Sequence, residues 1–231
     1  FIQSEELRKY LYEVYDLERL CGRISLGSAN ARDLLQLKNS LKVLPEINNI
    51  LKDLNYQELP DISDLYNILE TSLYENPPIT LKEGYLIKEG YNHELDELKD
   101  LRSGGKEFIS NYEQQEREKT GIKNLKVGFN KVFGYFIEVS KGNLPLVKEE
   151  YGYIRKQTLA NCERFINPIL KEKEDLVLSA EEKIINLEFE LFQNIRNICQ
   201  EYTHKIQEIS KIISEIDVLS AFALISEKYN Y

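Results

Sequence analysis

Residues 184–216 read IINLEFELFQNIRNICQEYTHKIQEISKIISEI, and their apolar side chains recur at steps of three and four without a glycine or proline. This spacing is typical of one seam of a coiled coil or of a long bundle helix. An unbroken helix from Pro168 to Ser226 would span on the order of 85 Å, more than the diameter of a compact domain of this mass. The sequence therefore predicts a helix that extends out of a bundle. The repeating positions are Ile184, Leu187, Leu191, Ile195, Ile198, Tyr202, Ile206, Ile209, Ile213 and Ile216.

Three shorter segments before residue 75 show the same helical spacing. Each places its apolar residues on one face of a helix, so we expect the segments to pack together as a helical bundle. Residues 76–91 contain several proline and glycine turn signals and are expected to form a connector. The apolar faces are Leu7, Leu11, Val14 and Leu17; Leu34, Leu37, Leu41 and Leu44; and Ile62, Leu65, Leu69 and Leu73.

Helical spacing resumes at residue 92, in a segment that Gly104 and Gly105 interrupt. Each glycine inside a helix costs about 1 kcal/mol relative to alanine. The pair therefore predicts a bend or a break.

Strand spacing replaces helical spacing near residue 125. Alternating side chains at 125–129 and 135–139 predict two strands joined by a tight turn around Asn130 and Lys131. Further extended candidates lie at 151–156 and 163–166, and Asn167-Pro168 opens the last helical region. The helices before and after this β unit must run antiparallel, so we expect the β unit at the end of a two-helix stalk.

The charge is distributed unevenly along the chain. The 231 residues carry a formal charge of −9, which argues against nucleic acid as a partner. Residues 106–171, however, hold 12 Lys and Arg against 8 Asp and Glu, a net charge of +4. The middle of the chain is therefore the candidate region for binding phosphates.

Several classes of protein and site are disfavoured by the sequence. No apolar run is long enough to span a bilayer and no secretory signal is recognisable, so the expected location is cytoplasmic. Cys21, Cys162 and Cys199 are too far apart for a zinc or dithiol motif, and His93 and His204 are each isolated. We expect core packing for the cysteines and a packing or surface role for the histidines.

Two stretches of the middle region, EREKTGIKNLKVGFNKVFGYFIEVSKGN and YIRKQTLANCERFINPILKEKEDLVLSAEEKI, resemble the clamp and adjoining lever of the MutS family. YDLERLCGRISLGSANARDLLQLKNSL is similar to the start of the family's core helices, and EGYNHELDELKDL to its descending lever. The four matches occur in the family's order and cover essentially the whole chain. Because the chain begins at Phe1 and contains no Met, we also expect it to be cut from a longer protein.

The resemblance implies a mainly α fold, with a helical core bundle, two long lever helices and an inserted small α+β (antiparallel) clamp subdomain. The expected domains are the core helices and descending lever at 1–107, the clamp at 108–171, and the returning lever helix and core at 172–231. In the family two such arms close around duplex DNA, and a distant ATPase domain controls their opening. The resemblance therefore implies duplex DNA, a second MutS subunit and a MutL-type repair protein as partners.

No catalytic site is expected in this chain. The phosphate-binding motif G-x-x-x-x-G-K-[ST] is absent, and Glu107 follows Gly104-Gly105-Lys106 where the motif needs a hydroxyl. We expect no cofactor here, and ATP and magnesium only in the intact protein. The aromatic wedge of the family's mismatch-reading domain is also missing, so this chain should not recognise mispairs.

Six residues of the middle region are the candidate DNA contacts. Lysine and arginine charges, with neutral donors from asparagine and glutamine, can hold phosphates without reading sequence. One group lies in the predicted turn and the other in a donor-rich stretch at 155–164. Many family members carry a basic residue where this chain has Ala160, so one family contact is in doubt. The candidates are Asn130, Lys131, Lys156, Gln157, Asn161 and Arg164.

Each candidate has a structural alternative. Asn130 could simply supply turn conformation, and Arg155 or Arg164 could pair with Glu163 or Glu150. The aromatic residues of the region could stack on single-stranded bases, but their alternation favours the small clamp core. They are Phe129, Phe133, Tyr135, Phe136, Tyr151 and Tyr153.

Two functions remain open on these grounds. The first is a non-catalytic, sequence-independent duplex DNA-binding clamp and lever scaffold of a MutS-type mismatch-repair protein. The alternative is a helical dimerisation or protein-interaction module that uses the 184–216 stripe and does not touch DNA.

Overall fold

The computed structural model describes residues 2–229, and their side chains from residue 4 onward. Helices dominate, and one small antiparallel sheet lies between the sixth and seventh of them, which confirms the predicted mainly α fold with a small α+β part. The α-helices are α1 (Ile2–Glu13), α2 (Leu17–Ser25), α3 (Ala31–Lys42), α4 (Leu44–Asp53), α5 (Ser63–Ser72), α6 (His93–Thr120), α7 (Pro168–Glu201) and α8 (Thr203–Tyr229). The strands are β1 (Lys126–Asn130), β2 (Gly134–Ser140), β3 (Ile154–Thr158) and β4 (Cys162–Ile166), with 3₁₀ turns at Lys141–Leu146 and Glu149–Tyr151.

The chain forms two compact units. We call residues 2–91 with 186–229 the helical unit and residues 92–185 the sheet unit. Helix α7 begins in the sheet unit and ends in the helical unit.

The helical unit is built on the apolar faces that the sequence predicts. Leu34, Leu37, Leu65 and Leu69 are fully buried, and most other members of the three predicted faces are less than a tenth exposed. Helix α3 begins with a capping box, in which the side chains of Asn30 and Asp33 each accept a hydrogen bond from the other's backbone amide.

The long C-terminal helical region differs from the expected unbroken helix. It is divided at Tyr202, whose amide bonds to the carbonyl of Cys199 three residues back. The Thr203 hydroxyl donates a hydrogen bond to the Gln200 carbonyl at 2.5 Å, and so competes with the backbone amides of the helix for this acceptor. Ile184 and Ile195 are buried as predicted. At the other three predicted positions of α7 the buried residue is the next one along the chain: Glu188, Phe192 and Cys199.

Helix α6 runs unbroken through Gly104 and Gly105, so the predicted break does not occur. A Cβ at Gly105 would overlap the side chain of Val177 on α7. The glycine therefore allows the two helices to approach closely, and this packing offsets its low helix propensity.

The four strands form one antiparallel sheet in the order β1-β2-β4-β3. The predicted strands are all present, with ends that shift by no more than three residues. One face carries Ile137, Val139 and Phe165 into a core with α6 and α7. On the other face, Phe136 lies against Gly128, where a Cβ would overlap the phenyl ring. The helix-side core is completed by Ile109, Tyr112, Ile122, Leu125, Leu170 and Val177.

Candidate nucleic-acid interface

The turn between β1 and β2 presents the first two predicted contact residues. The Asn130 side-chain oxygen accepts a hydrogen bond from the Val132 amide at 2.7 Å, so it shapes the turn as the structural alternative proposed. Gly134 closes the turn at φ +83°. Lys131 is exposed and forms no ion pair with any carboxylate that the structure describes. The turn therefore offers one lysine charge, on a backbone that Asn130 fixes.

Strand β3 presents Lys156 at an irregularity in the ladder. The register shifts between Arg155 and Gln157, which leaves Lys156 as the extra residue of a bulge. Lys156 is exposed and, among the described side chains, has no acidic partner. Arg155 beside it pairs with Glu163 at 2.5 Å, as the structural alternative predicted for one of these arginines.

Arg164 is held inside the sheet unit by three contacts. Its Nε lies 2.9 Å from Oε2 of Glu138, and its Nη1 donates to Oε1 of Gln157 at 3.0 Å. Its guanidinium carbon lies 4.3 Å from the centre of the Phe136 ring. The ion-pair partner is thus Glu138, and not Glu163 or Glu150 as the alternative supposed. The side-chain oxygen of Gln157 is therefore also occupied within the sheet, as the acceptor for Arg164.

The first and last of the predicted contact residues lie near opposite ends of the strands. Asn130 pairs with Gly134 at one end of β2, whereas Ser140 pairs with Cys162 at the other end, next to Asn161. The seven residues of β2 separate these ends by about 20 Å. A single compact contact cannot include both Lys131 and Asn161.

The surface at the C-terminal end of β2 carries Asn161 together with polar residues that the sequence analysis did not single out. We call this surface the lysine edge, and its members are Lys123, Asn124, Lys126, Ser140, Lys141, Asn143 and Asn161. The Lys141 amide donates to the Asn161 carbonyl at 3.0 Å, and Asn124 and Asn143 both donate to the Ser140 hydroxyl oxygen. The run Ser140-Lys141-Gly142-Asn143 has the same small, polar and basic composition as the Asn130 turn. This composition is the sequence pattern that could have marked it as a candidate DNA contact.

The three lysine side chains of this edge are exposed. None of Lys123, Lys126 and Lys141 forms an ion pair within the described part of the chain. Lys126 faces Glu138 across the β1–β2 ladder, but that carboxylate pairs with Arg164. The edge is therefore a basic surface with neutral donors between its charges.

The aromatic residues of the sheet unit mostly pack on one another. Tyr153 contacts Tyr151 and Phe165 with ring centres 5.9 and 5.8 Å apart. Phe136 and Tyr151 are buried, while Phe129 remains 57% exposed. This agrees with the predicted core role for most of them.

A buried polar cluster lies beneath these rings. The Tyr153 hydroxyl donates to the Glu116 carboxylate, and Lys119 lies 3.4 Å from the other oxygen of Glu116. Burial, and then the hydrogen bond and charge of Glu116, raise the pKa of Tyr153 well above its usual value. Tyr153 therefore stays protonated and serves as a hydrogen-bond donor.

Other site types find no support among residues 2–229. No group of three or more His, Cys, Asp or Glu side chains in this range could hold a metal ion, and no helix in it is long and apolar enough to cross a membrane. His93 and His204 are both exposed, as a surface role requires. The cysteines are free, with Cys21 and Cys199 buried and Cys162 half-buried.

Residues 90–183 match the model of the family described as MutS family domain IV. The whole chain is similar to bacterial proteins named DNA mismatch repair protein MutS. It is 53% identical to the one from Bacillus licheniformis over 99% of its length, and 52% identical to the one from Bacillus subtilis over 100%. The identity to the protein from Staphylococcus carnosus is 49%, also over 100% of the chain.

This chain belongs to the MutS family. It spans 27 to 28% of the length of these three relatives. The segment that matches MutS domain IV, residues 90–183, nearly coincides with the sheet unit, residues 92–185. The lysine edge and the β1–β2 turn both lie within it.

Proposed function

We propose that the sheet unit is a non-catalytic clamp that holds duplex DNA without reading its sequence, in a MutS-type mismatch-repair protein. One observation carries this proposal: between α6 and α7, five exposed lysines of the sheet unit have no acidic partner among the described residues. A lysine that is not paired within its own protein can neutralise a phosphate and release a counterion. The five are Lys123, Lys126, Lys131, Lys141 and Lys156.

The types of residue favour backbone contact over base reading. Bidentate arginines are the commonest specific readers of guanine, but Arg155 and Arg164 are both paired with carboxylates of their own sheet. A lysine ammonium is a compact point charge on a flexible stem, and it suits a phosphate regardless of the neighbouring base. The proposed contact is therefore independent of sequence and of mispairs.

The competing proposal placed a protein partner on the 184–216 stripe. In the helical unit this stripe is occupied by the chain itself, since Ile195, Ile206 and Ile209 are fully buried and α8 packs on α2. The stripe therefore offers little surface for another protein.

The remaining functions belong to the intact protein. We propose that it binds ATP and magnesium outside residues 1–231, works with a second MutS subunit and a MutL-type repair protein, and is cytoplasmic. The sequence supports the first point, because it lacks the glycine-rich phosphate loop.

The test is the binding of labelled 30-base-pair duplexes to the 231-residue chain, measured by fluorescence anisotropy. We expect saturable binding, with affinities for a matched duplex and for one carrying a single mismatch equal within about 2-fold, because phosphate contacts carry no sequence information. Absence of binding at low salt, or a preference for the mismatch of about 10-fold, would contradict the proposal.

A further inference from the structure

Three side chains of the lysine edge form a closed hydrogen-bond network. Nδ2 of Asn124 donates to Oγ of Ser140 at 3.2 Å, and Nδ2 of Asn143 donates to the same oxygen at 3.0 Å. Nδ2 of Asn143 also donates to Oδ1 of Asn124 at 2.7 Å. Asn124 precedes β1, whereas Ser140 is the last residue of β2 and Asn143 lies in the 3₁₀ turn after it, so the network joins two segments of the chain.

Counting the donors and acceptors of this network shows which of its protons have no acceptor within it. A serine hydroxyl has two acceptor lone pairs and one proton, and both lone pairs of Ser140 are used by the asparagines. Both protons of the Asn143 amide are also used. The Ser140 hydroxyl proton and the second amide proton of Asn124 have no acceptor in the network, so they are available to a ligand.

The residues around the network add donors and positive charge. Lys141 follows Ser140 directly, is exposed, and forms no ion pair among the described residues. Its backbone amide bonds to the Asn161 carbonyl, which holds the exposed Asn161 against the same edge. The acceptor oxygens of Asn124 and Ser140 are used within the network, so a hydroxyl, an amide and an ammonium remain as donors, which match a singly charged oxyanion.

We infer that Asn124, Ser140 and Lys141 form a seat for one phosphodiester group of a DNA duplex, and that Asn143 holds the Ser140 hydroxyl in its donating orientation. The identity of the ligand rests on the proposed function. Asn161 lies beside the seat, since its backbone carbonyl accepts a hydrogen bond from the Lys141 amide. The seat fixes where the duplex backbone meets the lysine edge, whereas scattered lysine charges alone would allow the backbone to slide.

The first test compares S140A with S110A in the duplex titration. Ser110 is an exposed serine of α6 in the same unit and lies away from the edge, so it is the matched control. We expect S140A to weaken binding about 5- to 10-fold, because a hydrogen bond to a charged group is lost at a partly exposed site. The salt slope should stay unchanged, because a serine releases no counterion.

Two further variants separate the seat from a purely structural role. S140T retains a hydroxyl and should restore most of the affinity. K141Q should weaken binding and make the salt slope shallower by about one unit. The inference is overturned if S140A binds as S110A does, or if S140T binds as weakly as S140A while its thermal melting is that of the unsubstituted chain.

A nuclear magnetic resonance titration tests the seat in the unsubstituted chain, so it does not depend on whether a variant folds. The side-chain amide signals of Asn124 and Asn143 should shift in ¹⁵N–¹H spectra when the duplex saturates the chain, and those of Asn39 in the helical unit should not. Unmoved Asn124 signals at saturation would overturn the seat while leaving the clamp proposal intact. A complete absence of duplex binding would instead remove the clamp proposal itself.

Discussion

Replacing Arg164 by alanine tests whether this residue stabilises the sheet unit or contacts a phosphate. The substitution removes an ion pair with Glu138 whose side chains are 23% and 27% exposed, worth about 0.5–1 kcal/mol. It also removes the hydrogen bond to Gln157, worth about 1 kcal/mol, and the guanidinium over the Phe136 ring, worth about 1 kcal/mol. We therefore expect Arg164→Ala to lower the free energy of unfolding by about 2–3 kcal/mol.

The assay is a urea titration followed by far-ultraviolet circular dichroism, because the chain has no tryptophan. Lys156→Ala is the matched control, since this lysine is exposed and unpaired within the described structure, and its effect should stay within about 0.5 kcal/mol. In duplex titrations the roles reverse: Lys156→Ala should make the salt slope shallower, and Arg164→Ala should leave it unchanged. Unchanged stability of Arg164→Ala with a slope shallower by one unit would refute the structural role of Arg164.

Two further predictions concern the packing and the ionisation of the fold. Gly128→Ala should destabilise the sheet unit by about 1–3 kcal/mol, because its Cβ would overlap the Phe136 ring, and Phe136→Leu in the same chain should recover part of this loss in a urea titration. Burial raises the pKa of Cys199 from 9.0 to about 12, so the unfolded chain loses this proton at lower pH than the folded one. The free energy of unfolding should therefore fall between pH 9.0 and about 12, and Cys199→Ala should reduce that fall; an identical pH dependence in the variant would contradict the assignment.

The strands were predictable because their pattern is local. Tyr135, Ile137 and Val139 alternate with residues of the other face, and this period of two is independent of the rest of the fold. The helical faces of the first 75 residues were predictable for the same reason. Local pattern failed at Gly105, where the decisive contact is with Val177, 72 residues further along the chain.

The candidate site was predictable in composition and less so in geometry. The basic middle of the chain does carry five exposed lysines without an acidic partner among the described residues, and Lys131 and Lys156 are two of them. The arrangement at the lysine edge depends on strand register, which brings Asn124 to Ser140 and Lys141 to Asn161. Such pairings arise from the sheet as a whole and leave no periodic signal in the sequence.

The choice between free and paired cations also needs three dimensions. Arg155, Lys156 and Arg164 are equivalent donors in the sequence. In the sheet, both arginines lie next to carboxylates of neighbouring strands, whereas the bulge of β3 leaves Lys156 without one among the described side chains. The neighbours across the ladder therefore decide which charges can reach a ligand.

The most direct test of the clamp is the salt dependence of duplex binding by a triple variant, K126Q/K141Q/K156Q. Three lost phosphate contacts should make the log–log slope shallower by about 2.7, which is about 40-fold less loss of affinity between 50 and 200 mM salt. The control K9Q/K82Q/K211Q removes the same charge from three exposed lysines of the helical unit, and it should retain the slope of the unsubstituted chain. Equal slopes for the two triple variants would contradict the proposal that the sheet unit grips DNA through its unpaired lysines.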